Sequence, residues 1–173
     1  MPKIVDRDRY MKDLAERAAG SFSKHGYAGV GMRGIAEHLG ISKSALYHYF
    51  PTKELLFLAS TEVIMSRVDH VVLDSGMTET AQLQALVDSM QGEFGAEMAL
   101  LFDYLRGKSQ AEIASDEAMQ ISLYTYLKVV DRIVGPERAV ETLAVVMGRL
   151  MLDYLSGGEL SHSLRRATGM ISE

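Results

Sequence analysis

Residues 31–50 read GMRGIAEHLGISKSALYHYF. Ile35, Ala36 and Leu39 recur at helical spacing and predict a short helix over about 32–39. Gly40 ends it, because glycine enters the positive-φ region without a Cβ clash. Ser42 is a good N-cap for a second helix over about 43–50. Pro51 stops that helix, since the residue before a proline avoids helical angles. Ala36 is small where two helices must cross closely, and Ile41 and Leu46 fill the space between them. Two short helices joined by the turn Gly40-Ile41-Ser42 form the helix-turn-helix layout.

The pattern outside this stretch is also helical. Upstream, Met11, Leu14, Ala15, Ala18 and Phe22 lie on one stripe of a helix over about 6–24, with Gly26 as a left-handed terminator. Downstream, Thr52 caps a long helix over about 53–72 whose first turn carries Glu54. Thr78 opens another amphipathic stretch, broken near Gly92 and Gly95. Met98, Leu101, Phe102 and Leu105 form a further apolar face. The next helix ends near Val134 and begins at either Ser109 or Ser115; the pattern leaves both open. Pro136 suits the first position of a helix running to about Leu155. Gly157-Gly158 precedes a last helix over about 159–171. The expectation is an all-α chain of about nine helices, with no strand alternation and no repeat.

Length and composition agree. The 173 residues, 47% of them hydrophobic and 24% charged, describe a globular chain with enough apolar material for a real core. No cysteine is present, which excludes disulfides, thiolate metal sites and cysteine nucleophiles. No run of about eighteen apolar residues marks a membrane span. With no apolar leader either, the expected location is the cytoplasm. The net charge of −5 is uneven. Residues 1–53 hold nine Lys/Arg against five Asp/Glu, a balance of +4; residues 54–173 hold nine against eighteen, −9, and the two total −5. That balance suits a small basic module that attracts a polyanion and a larger acidic one that does not, though ordinary fluctuation of surface charge gives the same numbers.

The run from Asp8 to Leu56 resembles the DNA-binding domain of the TetR family of bacterial transcriptional regulators. The stretch GISKSALYHYFPTKELL carries the likeness, with Leu46-Tyr47-x-Tyr49-Phe50, Lys53-Glu54, Gly26-Tyr27 and Ile35-Ala36. The resemblance implies a helix-turn-helix DNA-binding domain over 1–52 and a helical effector-binding and dimerisation domain over 53–173. It implies that Ser42 offers a phosphate its hydroxyl or amide and that Lys43, Ser44 and Ala45 face base edges. Arg33 matches a position that reads a base or a phosphate, and an arginine there can bind guanine through two hydrogen bonds. Tyr47, His48 and Tyr49 contact the DNA backbone and Lys53 pairs with a phosphate, positioning contacts that do not read sequence. The resemblance also suggests that Lys3, Arg7 and Arg9, before and at the start of the first helix, reach an adjacent groove. Two residues depart from the pattern: Gly31 caps the helix over about 32–39 in place of Ser or Thr, and Gly34 lies inside that helix, at a cost of about 1 kcal/mol relative to alanine.

The resemblance implies a homodimer on a palindromic operator, with recognition helices about 34–36 Å apart. The helix after Pro136 is apolar on two faces. Val140, Leu143, Met147, Leu150 and Tyr154 form one seam widened by Met151 and Ala144, with Ala139, Val146 and Leu152 on another. That seam is either a dimer interface or one face of a simply buried helix. The resemblance further implies a pocket for a small, largely apolar effector. Met90, Phe94, Met98, Phe102, Met119, Leu123, Tyr124 and Tyr126 are the candidate lining, and plain core is the alternative for each. Asp69, His70 and Asp74, and the pair Glu93 and Glu97, suit solvated helix surface better than a metal or acid–base site. No catalytic residue, metal or cofactor is expected. The expected function is a ligand-responsive DNA-binding repressor rather than an enzyme. An activator of the same fold, or a helical adaptor that no longer binds DNA, are the other readings.

Overall fold

The computed structural model describes residues 6–69 and 76–159. Among the described residues the chain is helical, with no strand: α1 Arg7–His25, α2 Met32–Leu39, α3 Lys43–Tyr49, α4 Lys53–Asp69, α5 Glu79–Gln91, α6 Phe94–Leu105, α7 Gln110–Ala114, α8 Glu117–Val134 and α9 Pro136–Leu155. The expected last helix lies outside the described residues, as do Lys3, His70 and Asp74. None of the described helices is long and apolar enough to cross a membrane.

Short side chains set most of the boundaries. Asp6 accepts from the Arg9 amide at 3.4 Å, Thr52 from Leu55 at 3.2 Å and Thr78 from Ala81 at 3.3 Å, each satisfying an amide the helix start leaves unpaired. The open question between Ser109 and Ser115 resolves into two helices. Ser109 starts α7 with a reciprocal capping box to Glu112, and Ser115 ends it. Asp116 then caps α8, its Oδ1 accepting from the Met119 amide at 3.2 Å. Gly26 has a positive φ of 75° but an extended ψ of 167°, so it turns the chain outward rather than adopting the left-handed helical conformation expected of it.

The chain forms two compact units: Met1–Val71 with Ala96–Tyr126, and Val72–Gly95 with Leu127–Glu173. In the first, α1 packs chiefly on α4, and α2 on α1 and α3. Leu14, Ala18, Phe22, Ile35, Leu46 and Leu56 form its fully buried centre. Ser60 ties α4 to α1: its hydroxyl lies 2.8 Å from both the Ala15 and the Leu56 carbonyls. Arg17 Nη2 donates to the last carbonyl of α2, Leu39 O, at 2.5 Å, and Arg67 pairs with Glu16. In the second unit α5 and α9 run parallel. Arg138 makes a two-point bond to Glu79 at 2.9 and 2.8 Å, Arg149 donates to Gln84 at 3.2 Å, and Gln91 donates to the buried Asp153 at 2.5 Å. Leu86, Val87, Met90, Val129, Val130, Leu143, Val146 and Leu150 are buried there.

Candidate DNA-contact face

Helix α3 owes its placement to the turn before it. Gly40 adopts φ 70° and ψ 28°, the left-handed conformation that only glycine enters freely. The Ile41 amide then reaches the Ala36 carbonyl at 3.0 Å and the Gly40 amide reaches Glu37 at 3.1 Å, closing α2. Ser42 follows in extended conformation and accepts from the Ala45 amide at 3.1 Å, opening α3. Leu46, wholly buried, pins the short helix to the core. Its opposite side stays open: Ser42, Lys43, Ser44, Tyr47 and His48 are exposed, as is Arg33 on α2. Ala45 and Tyr49 are half-buried. Tyr49 meets Tyr10 edge-on at 5.1 Å, and Lys43 Nζ lies 5.5 Å over the Tyr47 ring. Eight of the nine residues assigned to DNA contact therefore lie, exposed or half-buried, on α2, the turn after it or α3.

Lys53 is the exception. Its Nζ donates to the Tyr27 carbonyl at 2.8 Å and the Val30 carbonyl at 3.3 Å, and it sits 4.1 Å from the Tyr27 ring centre. A lysine at a helix N-terminus opposes the helix dipole, which favours an external phosphate as its partner. Here two carbonyls of the α1–α2 turn compensate it instead, so the ammonium holds that turn against α4. Glu54 completes the clamp by accepting from the Tyr27 hydroxyl at 2.9 Å. Burial, then that carboxylate, push the Tyr27 phenol well above its ordinary pKa. Its own backbone amide, then Tyr27, hold Glu54 below the usual carboxylate range.

A second group of residues supports the face and was missed in the sequence. Asp103 on α6 accepts from the Ala28 amide at 2.7 Å, in the α1–α2 turn. Beside it Tyr104 stacks on Phe57 at 4.2 Å and meets Tyr27 edge-on at 4.7 Å. The Tyr104 hydroxyl donates to Asp116 at 2.6 Å, and Lys108 donates to the same oxygen at 2.5 Å while lying 3.7 Å over the Tyr104 ring. Burial alone would raise the Asp116 pKa; hydrogen bonds from Lys108 and Tyr104 overcome it and leave the carboxyl below its ordinary value. A depressed carboxyl pKa stabilises the fold above the unfolded-state value of about 3.9, and that stability is lost as pH falls through the folded-state value. The urea midpoint should therefore drop between about pH 5 and pH 3, and Asp116→Asn should shrink that drop. A variant with the same drop as the parent would show that Asp116 is not coupled to folding. Glu54, Glu79 and Glu112 are depressed too, so part of the drop remains.

The expected pocket residues divide. Met90 and Phe94, in the second unit, are buried. Of those in the first unit, Met98, Met119 and Tyr126 are half-buried, and burial pushes the Tyr126 phenol up to about 12. Phe102, Leu123 and Tyr124 are 60%, 59% and 68% exposed. A groove of about 400 Å³ lies between α1 and α4, lined by Met11, Ala15, Phe50, Ala59 and Val63 with Asp8, Lys12, Glu62 and Ser66. The α9 seam divides as well. Leu143 and Leu150 join Ala139, Val146 and Asp153 in a stripe buried by the chain's own core. Val140 and Tyr154 are 69% and 55% exposed, and Met147 and Met151 half-buried. Positions three and four apart on a helix spread over an arc, and here the arc crosses from core to surface. Among the described residues no three His, Asp or Glu side chains are placed to hold a metal ion.

Residues 14–60 match the family model described as "Bacterial regulatory proteins, tetR family". The TetR likeness is carried by this segment. The chain is 35% identical over 81 residues to the HTH-type transcriptional repressor AcnR of Corynebacterium diphtheriae, covering 46% of this chain and 43% of that protein. It is 34% identical over 106 residues to the HTH-type transcriptional activator FasR of Mycolicibacterium smegmatis, covering 61% of this chain and 45% of that one. Both matches span less than half of the relative's length. Mycobacterium smegmatis AmtR, a solved structure, aligns over 89% of this chain and 78% of its own at a TM-score of 0.44 and 21% identity. The TetR-type segment ends within α4, so it contains the turn, α3 and the Lys53–Glu54 clamp but not Asp103, Tyr104 or Asp116.

Proposed function

We propose that this chain is a DNA-binding transcription regulator of the cytoplasm, not an enzyme. Residues 1–52 present α3 to a major groove, and residues 53–173 hold a small, largely apolar effector and join two copies over a palindromic operator. One observation carries the reading: a buried Leu46 and a left-handed Gly40 turn the polar side of α3, with Lys43, Ser44, Tyr47 and His48, away from the protein. Phosphate contacts from Ser42, Tyr47, His48 and Tyr49 would position the head, and Arg33, Lys43, Ser44 and Ala45 would read bases. Lys53 leaves this set. The exposed Val140 and Tyr154, with Met147 and Met151, remain available to a second copy. Effector binding releases the DNA if the ligand favours a conformer with altered head spacing by several kcal/mol. Repression is the favoured direction, supported by the names of the AcnR relatives. A relative named as an activator supports activation as the second reading.

Gel-shift titration with random and palindromic duplexes tests the proposal. Arg33→Ala, Lys43→Ala and Tyr49→Phe should each weaken binding, the two cation losses by about tenfold or more. Equal affinity in all three variants would refute the assigned face. No salt-sensitive binding in the parent would favour the adaptor reading.

A further inference from the structure

Arg33 is the second residue of α2, and Glu37 lies one turn further along the same helix. Arg33 Nε donates to Glu37 Oε1 at 3.0 Å, with the two side chains 82% and 67% exposed. We propose that Glu37 is a positioning residue for sequence reading: by holding Arg33 through Nε, it aims the terminal nitrogens outward and commits the guanidinium to guanine rather than to phosphate. The inference rests on the DNA-binding reading above.

The argument begins with the shape of the side chain. A guanidinium is a planar fork of five N–H groups. The carboxylate takes the single N–H of Nε, and among the described residues Nη1 and Nη2 have no protein partner. That free end carries the paired donors that match O6 and N7 of guanine. An arginine without such a brace samples many rotamers and takes whichever phosphate oxygen is nearest. The brace also changes the electrostatics. A carboxylate beside the guanidinium offsets part of its attraction for an anion and itself repels phosphate. A guanine edge is neutral and presents two acceptors, so it keeps its full match. The pair is weak in water and is screened by salt, but displacing water at a DNA surface strengthens it. Glu37 thus lowers affinity for the backbone while raising selectivity for one base.

The test is selection of bound sequences from randomised duplex, with affinities on the selected and on random DNA. It uses the full chain as parent, Arg33→Ala, Glu37→Ala and Glu37→Gln. Both side chains are exposed, and circular dichroism verifies that each variant folds. In the parent, one guanine position in each half-site should be the one that Arg33→Ala flattens. Glu37→Ala should reduce preference at that same position by about fivefold or more. It should also tighten binding to random duplex severalfold, since an anion leaves the face. Glu37→Gln keeps the acceptor and should retain most of the guanine preference. Unchanged preference in Glu37→Ala overturns the proposal, as does an equal loss for all sequences, which a merely structural role would produce. A parent that selects sequences unaffected by Arg33→Ala also overturns it. A parent that binds no duplex at all refutes the DNA-binding reading itself, and the inference falls with it.

Discussion

Tyr104→Ala is expected to lower the unfolding free energy of the first unit by about 4 kcal/mol, in the range typical of a buried aromatic truncated to alanine. The ring is only 6% exposed and stacks on Phe57 while meeting Tyr27 edge-on. Each such aromatic pair contributes about 0.5–1.5 kcal/mol beyond its buried area. Truncation also leaves a cavity beside Phe57 and removes the ring beneath Lys108. Tyr104→Phe separates packing from hydrogen bonding. It keeps the stack and loses only the bond to Asp116, which retains Lys108 and the Met119 amide, for a cost of about 1.5 kcal/mol. Urea denaturation measures both. A loss below about 1 kcal/mol in the alanine variant would mean that α6 does not anchor the α1–α2 turn. The result matters for function because Tyr27, the partner of Tyr104, is also clamped by Lys53 and Glu54 at the base of the head.

The second large effect is the salt dependence of DNA binding. The exposed cations of residues 6–52 include Arg33, Lys43 and the arginines in the first turn of α1, Arg7 and Arg9. About three phosphate charges neutralised per head, in two heads, give a log–log slope of about −5, or roughly a thousandfold weaker binding at 200 mM than at 50 mM salt. Lys43→Ala should make that slope shallower by about 2, because an ammonium at a base edge in the groove still displaces about one condensed counterion per head. Lys53→Met should leave the slope unchanged and instead lower stability by about 1–2 kcal/mol, because it uncovers the Tyr27 and Val30 carbonyls. Filter binding over a salt series reads the slopes, and thermal melts read stability. The clamp assignment is wrong if Lys53→Met flattens the slope as Lys43→Ala does.

These contrasts mark how far the residues alone could be read. The helix-turn-helix was legible because every signal in it acts within a few positions: Gly40 and Ser42 on the turn, Ala36 and Leu46 on the contact, Pro51 on the stop. The start of α7 was legible as well, since Ser109 and Glu112 have capping-box spacing, while Ser115 offers a second start. The role of Lys53 was not legible. Its position at a helix N-terminus suggests a phosphate, and the carbonyls that take it instead lie 26 and 23 residues away. Asp103 bonds to an amide 75 residues upstream, and nothing in its neighbourhood distinguishes it from an ordinary exposed acid.

Helix α9 shows the same division. Its periodicity foretold a helix with two apolar faces, and Pro136 foretold its start. Which face turned inward depended on α5, through Arg138 to Glu79 and Gln91 to Asp153. Caps, turns and helical periods are short-range, so residue order alone settled the all-α class and the geometry of the reading head. The partner of each charge and the inward face of each amphipathic helix depend on what the chain brings alongside from far away, and that only packing decides.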